Sequence, residues 1–351
     1  MSEIKKFKKK FDISNMYDAI VGFPEQIKTG FSIMENWIPQ HEYSNINNIL
    51  ILGMGGSAIG GDVTRVLIQH ECEVPIIVNR SYNIPKWVSE KTLVLASSYS
   101  GNTEEILSAF YQCTQAGAII VAMTTGGKLQ ILAKNNNLDY ALLPAGLQPR
   151  VALGLSVSLT LIILNKLGFV SDSIIKELHF SFEKLSEICV ELSDCDDNNP
   201  AVILASEIHS MCPIIYGSED LTWVAALRFR GQLEENAKML AFHHNIPEQN
   251  HNEIEGWSCH PNLLATKCII WLKDSDDHPR SLARMEVTGK LLEDKAGNQV
   301  EVTQSGRSPL IRLLKMIHFN DWVSYYAALL NNVDPTPVEK ITKLKEEMAK
   351  R

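Results

Sequence analysis

The sequence predicts an α/β protein of two domains on one plan, each a mainly parallel sheet wound with helices on both faces. Three observations carry this reading. From Asn48 onward, short β-branched runs alternate with helical stretches, the rhythm of a doubly wound sheet. The chain has 351 residues, 45% of them hydrophobic, more than the roughly 250–300 that a single core organises. A strand ending in glycine and serine also occurs twice, as ILGMGGS at 51–57 and IIYGS at 214–218, the trace that a duplicated plan would leave.

The elements follow in order. The opening MSEIKKFKKKFDIS is basic and has neither the apolar core nor the cleavage pattern of a signal peptide. It reads as a solvated leader, and residues 1–44 as an N-terminal helical segment. The first domain is expected over 45–168, with strands at 49–52, 74–79, 92–96, 118–124 and 140–143. Stripes such as Val63, Val66, Leu67 and Ile106, Leu107, Phe110 mark the helices between them. The longest apolar run, 151–164, is broken by serines and a threonine and is too short to span a bilayer.

A helical connector occupies 169–200, closed by the acidic DDNN and by Pro200, which stops any continuing helix. The second domain covers 201–333, with strands at 213–217 and 268–272, a helix from Leu221 to about Leu240, and another near 308–331. A helical segment at 334–351 completes the chain.

The net charge of −8 disfavours nucleic acid or an anionic membrane as partner, since both select a basic face. Seven cysteines, an odd number with no CxxC pair, read as reduced thiols. The expectation is a soluble, cytoplasmic protein acting on a small molecule.

Two loops at the carboxyl ends of strands carry the first chemical signal. Gly53-Met54-Gly55-Gly56-Ser57-Ala58-Ile59-Gly60-Gly61-Asp62 joins a strand to a helix, where glycines admit a ligand to the backbone and the helix start favours an anion. It has no P-loop lysine and no GxGxxG spacing. Ser98-Tyr99-Ser100-Gly101-Asn102-Thr103 repeats the arrangement with hydroxyls, which hold phosphate without a fixed cation. The plainer reading is that Asn102 or Thr103 caps a helix; two such loops in one sheet favour a ligand, since open α/β sheets bind there. Together the loops resemble the sugar isomerase (SIS) domain, marked by S-x-S-G-x-T, and the fold class becomes two SIS-type doubly wound domains.

Further on come Glu234-Glu235-Asn236-Ala237-Lys238 and Pro247-Glu248-Gln249-Asn250-His251-Asn252-Glu253, then Gly256-Trp257. Alone, a helical glutamate near a lysine is a solvated pair, and adjacent His243 and His244 lack metal-ligand spacing. In combination, ENAK, NHNE, GW, the Pro149-Arg150 pair and DPTPVEKITKLK at 334–345 resemble the bifunctional phosphoglucose/phosphomannose isomerase family over nearly the whole chain.

The resemblance implies interconversion of glucose 6-phosphate and mannose 6-phosphate with fructose 6-phosphate through an enediol, with no metal and no cofactor. It implies Glu235 as general base and Arg150 as stabiliser of developing negative charge. His251 would assist ring opening from a neighbouring subunit of a homodimer, and Lys345 would lie near the ring oxygen and C1 hydroxyl. Lys340, Lys343 and Lys350 compete with Lys345 for that place. Ser57, Ser98, Ser100 and Thr103 would form the phosphate cradle, with backbone contacts from Gly55 and Gly56.

Three alternatives stand beside it: another SIS phosphosugar isomerase, a non-catalytic sugar-phosphate sensor, and a dinucleotide oxidoreductase. The last is disfavoured by the absent GxGxxG and by a second strand that ends without an acid.

Overall fold

The computed structural model describes residues 3–351 and divides the chain into two compact units, Gly22–Ser186 and residues up to Val21 together with Glu187–Arg351. In chain order, α1 (Glu3–Phe11), α2 (Met16–Val21) and α3 (Phe23–Met34) precede β1 (Asn48–Leu52), α4 (Gly55–Ile68), β2 (Ile76–Asn79), β3 (Thr92–Ser97), α5 (Glu104–Gln115), β4 (Ile119–Thr124), α6 (Gly127–Asn135) and β5 (Asp139–Leu142). Next come α7 (Leu153–Lys166), α8 (Asp172–Ser193), within which the division falls, and α9 (Pro200–Ile208). The remainder is β6 (Cys212–Ser218), α10 (Trp223–Glu235), β7 (Phe242–Ile246), α11 (Pro261–Leu264), β8 (Lys267–Lys273), α12 (Pro279–Leu291), β9 (Asn298–Thr303), α13 (Pro309–Leu330) and α14 (Glu339–Met348).

In the first unit the sheet runs β2-β1-β3-β4-β5, all parallel. Parallel strands covered on both faces need continuous apolar sequence, and the central β3 is buried at every residue from Thr92 to Ser97. Leu50, Leu52, Val94 and Ala96 pack there with Ile106 and Phe110 of α5 and Leu129 of α6. The apolar run at 151–164 is largely α7, buried from Leu153 through Leu164. It lies against α3, where Gly30 leaves no room for a side chain: a Cβ would sit 2.1 Å from the Ser158 Oγ.

In the second unit the order is β7-β6-β8-β9, again all parallel. Numbered within each unit, the sheets read 2-1-3-4-5 and 2-1-3-4, so the duplicated plan holds at the level of topology. The sequence echo has a physical basis too. Gly53 after β1 and Gly217 in β6 each leave space for the following helix start, at 2.8 Å from Ala58 N and 2.6 Å from Trp223 N for a would-be Cβ. α13 is buried from Leu310 to Leu329 except at Lys315.

The N-terminal segment is not the solvated leader expected. Ile4, Met16 and Ile20 are buried, and Tyr17 donates to Ser193 O at 2.9 Å. The lysines of α1 are exposed except Lys8, whose ammonium lies over the Tyr17 ring. The two initial residues of the leader, Met1 and Ser2, lie outside the described residues. Among the described residues no helix is long and apolar enough to cross a membrane.

Candidate active site

In the first unit β1 and β3 are neighbours, with Leu52 opposite Ala96. The chain leaves them toward opposite edges, which opens the crevice where α/β sheets bind ligands. Both glycine and serine loops border it. Met54, the N-cap of α4, is extended and caps with no side chain. Thr103 is the N-cap of α5, yet its Oγ1 pairs with Ser98 Oγ at 2.9 Å and no side chain caps that helix either. Asn102 turns the other way, its Oδ1 accepting from Lys128 N at 3.1 Å in α6. The capping role open to Asn102 and Thr103 is therefore filled by neither residue for α5. Two helix starts face the crevice without side-chain caps, and backbone N–H groups in that condition are anion ligands.

The cradle itself is tightly fixed. Ser57 and Ser98 are buried, Thr103 is half-buried and Ser100 is exposed. Ser98 N donates to Met123 O at 3.0 Å and Gly101 N to Ser98 O at 3.0 Å. Gly101 has φ +68°, and a Cβ there would stand 1.8 Å from Gly126 O. Only glycine lets the serine loop close against the turn after β4. Gly56 is similarly constrained, 2.4 Å from Pro149 O for a would-be Cβ, so the first turn of α4 rests on the 3-10 turn Pro149–Val151.

That turn presents Arg150, which is 4% exposed and hence no surface cation. Gln26 of α3 fixes it from below, donating to Val151 O at 2.6 Å and accepting from Gly154 N at 3.0 Å.

In the second unit α10 ends at Glu235, five residues before the expected end near Leu240. The reason is Lys238, which takes φ +58° and turns the chain out of the helix. Glu235 is half-buried. Beneath it lies a buried polar layer: Arg228 makes a two-point bond to Asp321 (Nε–Oδ1 3.1 Å, Nη2–Oδ2 2.7 Å), Gln232 donates to the same carboxylate at 2.9 Å, and Asn236 donates to Ser324 Oγ at 3.0 Å. Burial pushes the His318 imidazole down to about 3, so it stays neutral there.

His251 is exposed at the end of the 3-10 turn Glu248–His251, just after β7. Its loop is tied down by Asn252 to Glu248 at 2.7 Å and Asn250 to Thr288 at 2.8 Å. Buried Tyr216 of β6 donates to Glu253 and accepts from Trp257 Nε1 at 3.2 Å. His243 and His244 are successive residues of β7, so their side chains leave opposite faces of the strand. Burial lowers His243 to about 4, and His244 Nδ1 accepts from Asn245 N at 2.7 Å. Lys340, Lys343, Lys345 and Lys350 are all exposed on or just after α14, so exposure does not single out Lys345.

The corresponding crevice of the second unit, after β6 and β8, is filled by its own acids. Asp220 accepts from Ser218 Oγ at 2.9 Å and His278 N at 3.1 Å. Asp274 binds Arg312 through both oxygens, at 2.7 and 2.9 Å. Asp277 is buried and pushed up to about 6 by that burial. Carboxylates and an already paired guanidinium make a poor anion site, unlike the hydroxyl-lined crevice of the first unit.

Residues 197–348 match the model of the bacterial phospho-glucose isomerase C-terminal SIS domain. The bifunctional phosphoglucose/phosphomannose isomerase of Caldicellulosiruptor bescii is 39% identical over 336 residues, 95% of this chain and 99% of that one. The enzyme of the same name from Aquifex aeolicus is 34% identical, covering 91% and 98%. Among solved structures, the C-terminal domain of glucosamine-fructose-6-phosphate aminotransferase from Francisella tularensis superposes with a TM-score of 0.72 over 92% of this chain and 97% of that one, at 13% identity, a likeness of fold alone. A sheet plan used twice, the serine cradle and 39% identity over almost the full length lead to one conclusion: the chain belongs to the bifunctional phosphoglucose/phosphomannose isomerase family, a family of isomerases.

Proposed function

We propose that the chain interconverts glucose 6-phosphate and mannose 6-phosphate with fructose 6-phosphate, with Glu235 moving the proton between C1 and C2. The observation that carries this is the cradle of the first unit: two helix starts without side-chain caps, lined by Ser57, Ser98, Ser100 and Thr103 and approached by the backbone of Gly55 and Gly56. Such a cradle suits the dianionic phosphate of a small sugar.

A single carboxylate held over one face of the open-chain sugar can take the proton from one carbon and return it to the next. Arg150 supplies a guanidinium, buried and therefore strong, to the enediol oxygen as charge develops. Sugars arrive as rings, and ring opening needs an acid–base group beside the ring oxygen; His251 has this role, with Lys345 near the ring oxygen and C1 hydroxyl. The exposure of His251 suits a group offered to a neighbouring copy, and the working form is then a homodimer with a shared site.

The test is a coupled assay on purified protein, with glucose 6-phosphate and mannose 6-phosphate offered separately and EDTA present. Both should be turned over, and Glu235→Gln should lose about 100- to 10,000-fold in kcat, the range for a positioned acid–base group. Binding without turnover in the unaltered protein would favour a sensor instead.

A further inference from the structure

We propose that Lys238 is a positioning residue that clamps the Glu235 end of α10, an inference that rests on the reading of Glu235 as the proton-transfer base. The helix closes with a six-residue bond, Met239 N to Leu233 O at 3.4 Å. This leaves Lys238 in the left-handed region at φ +58°. Glycine is the usual occupant of that position, because an L side chain costs about 1–2 kcal/mol there. A lysine kept at a glycine position needs a reason in its side chain.

The ammonium provides one. Nζ donates to Glu235 O at 2.5 Å, to Pro337 O at 2.6 Å and to Pro335 O at 3.4 Å. An ammonium has three donors, and three backbone carbonyls stand within its reach here. One of these belongs to the last helical residue, where the helix dipole favours a cation. The other two lie in the segment that leads into α14 and Lys345. A second strut acts one residue away, Asn331 Nδ2 to Ala237 O at 3.0 Å, and Asn236 is anchored from below through Ser324. The backbone of Glu235 is thus held from its own carbonyl, from Asn236 and from Ala237, while the carboxylate side chain is only half-buried.

Proton transfer at carbon is sensitive to such placement, since a misfit of about 1 Å can cost roughly 100-fold in rate. The clamp acts on the base through the backbone.

The discriminating variant is Lys238→Gly, which removes the ammonium and relieves the left-handed strain together. The expected result is a Tm equal to or above that of the unaltered protein, KM within about twofold, and kcat lowered about 10-fold. Lys238→Gly should regain part of its kcat when ethylammonium is added at tens of millimolar, since the position is exposed, and Lys238→Arg should stay closer to the unaltered enzyme. A Lys238→Gly enzyme with unaltered kcat overturns the clamp, as does a kcat loss accompanied by a matching fall in Tm. Glu235→Gln is measured in parallel. Full turnover there would remove the base assignment and the clamp with it, whereas loss in Glu235→Gln with normal kcat in Lys238→Gly would remove the clamp alone.

Discussion

Replacing Gly101 with alanine should damage phosphate binding more than any other single methyl group added to the first unit's cradle. The added Cβ would stand 1.8 Å from Gly126 O and 2.8 Å from Thr124 Oγ1. Ordinary contact is near 3.4 Å, so the serine loop or the turn opposite must yield by about 1.5 Å. At φ +68° the alanine also carries the left-handed penalty of about 1–2 kcal/mol. On the far side Gly126 O accepts from Thr124 Oγ1 at 2.9 Å, and Thr125 N donates across to Tyr99 O of the serine loop at 3.0 Å. Relief of the clash therefore strains that link and displaces the loop that carries Ser98 and Ser100. Losing one hydrogen bond to a charged phosphate oxygen costs about 1.5–3 kcal/mol, which corresponds to roughly 10- to 150-fold in affinity. The assay is steady-state isomerisation with inorganic phosphate as a competitive probe, beside a thermal melt. KM for the sugar phosphate and Ki for phosphate should rise together by at least about 10-fold, with a lower Tm. Unchanged Ki and Tm would refute the view that this glycine holds the cradle shut.

Two further outcomes follow from the same physical picture. Gly56→Ala places a Cβ 2.4 Å from Pro149 O, so the first turn of α4 must part from the turn that bears Arg150; kcat should fall about 10-fold, and a normal kcat would detach Arg150 from that packing. Asp277 has its folded-state pKa raised by burial from 3.8 to about 6, so the fold favours its protonated form. The stability it contributes is complete below about pH 4 and is lost as pH rises through about 6. Asp277→Asn should therefore raise the unfolding free energy at pH 7–8 by about 1–3 kcal/mol over the unaltered protein. Urea denaturation from pH 4 to 8 measures this, and a difference that does not shrink toward pH 4 would contradict it.

Much of the fold and of the candidate site was legible before any coordinates. The β-branched runs at 49–52, 92–96 and 118–124 appear within a residue or two as β1, β3 and β4, because strands buried on both faces must be apolar throughout. The polar loops after β1 and β3 announced themselves because glycines and hydroxyls at a strand-to-helix junction have few other uses. The edge strands of the second unit were not visible. β7, FHHNI, and β9, NQVEVT, are short and polar, and pairing with β6 and β8 makes them strands despite their composition. The burial of Ile4, Met16 and Ile20 was likewise hidden behind a run of lysines.

By itself the sequence determined the α/β class, the repeated plan, the glycine and hydroxyl loops at strand ends and the family, because these depend on local pattern and on motif chemistry. Tertiary structure alone decided that Asn102 serves α6 while Thr103 turns to Ser98, that Gly101 and Gly56 must be glycines, that Asp220, Asp274 and Asp277 close the second unit's crevice, and that α10 stops at Glu235 under Lys238. Each of these depends on which backbone carbonyl or side chain comes within about 3 Å of a donor or a would-be Cβ, and residues far apart in the chain acquire such neighbours only when it folds.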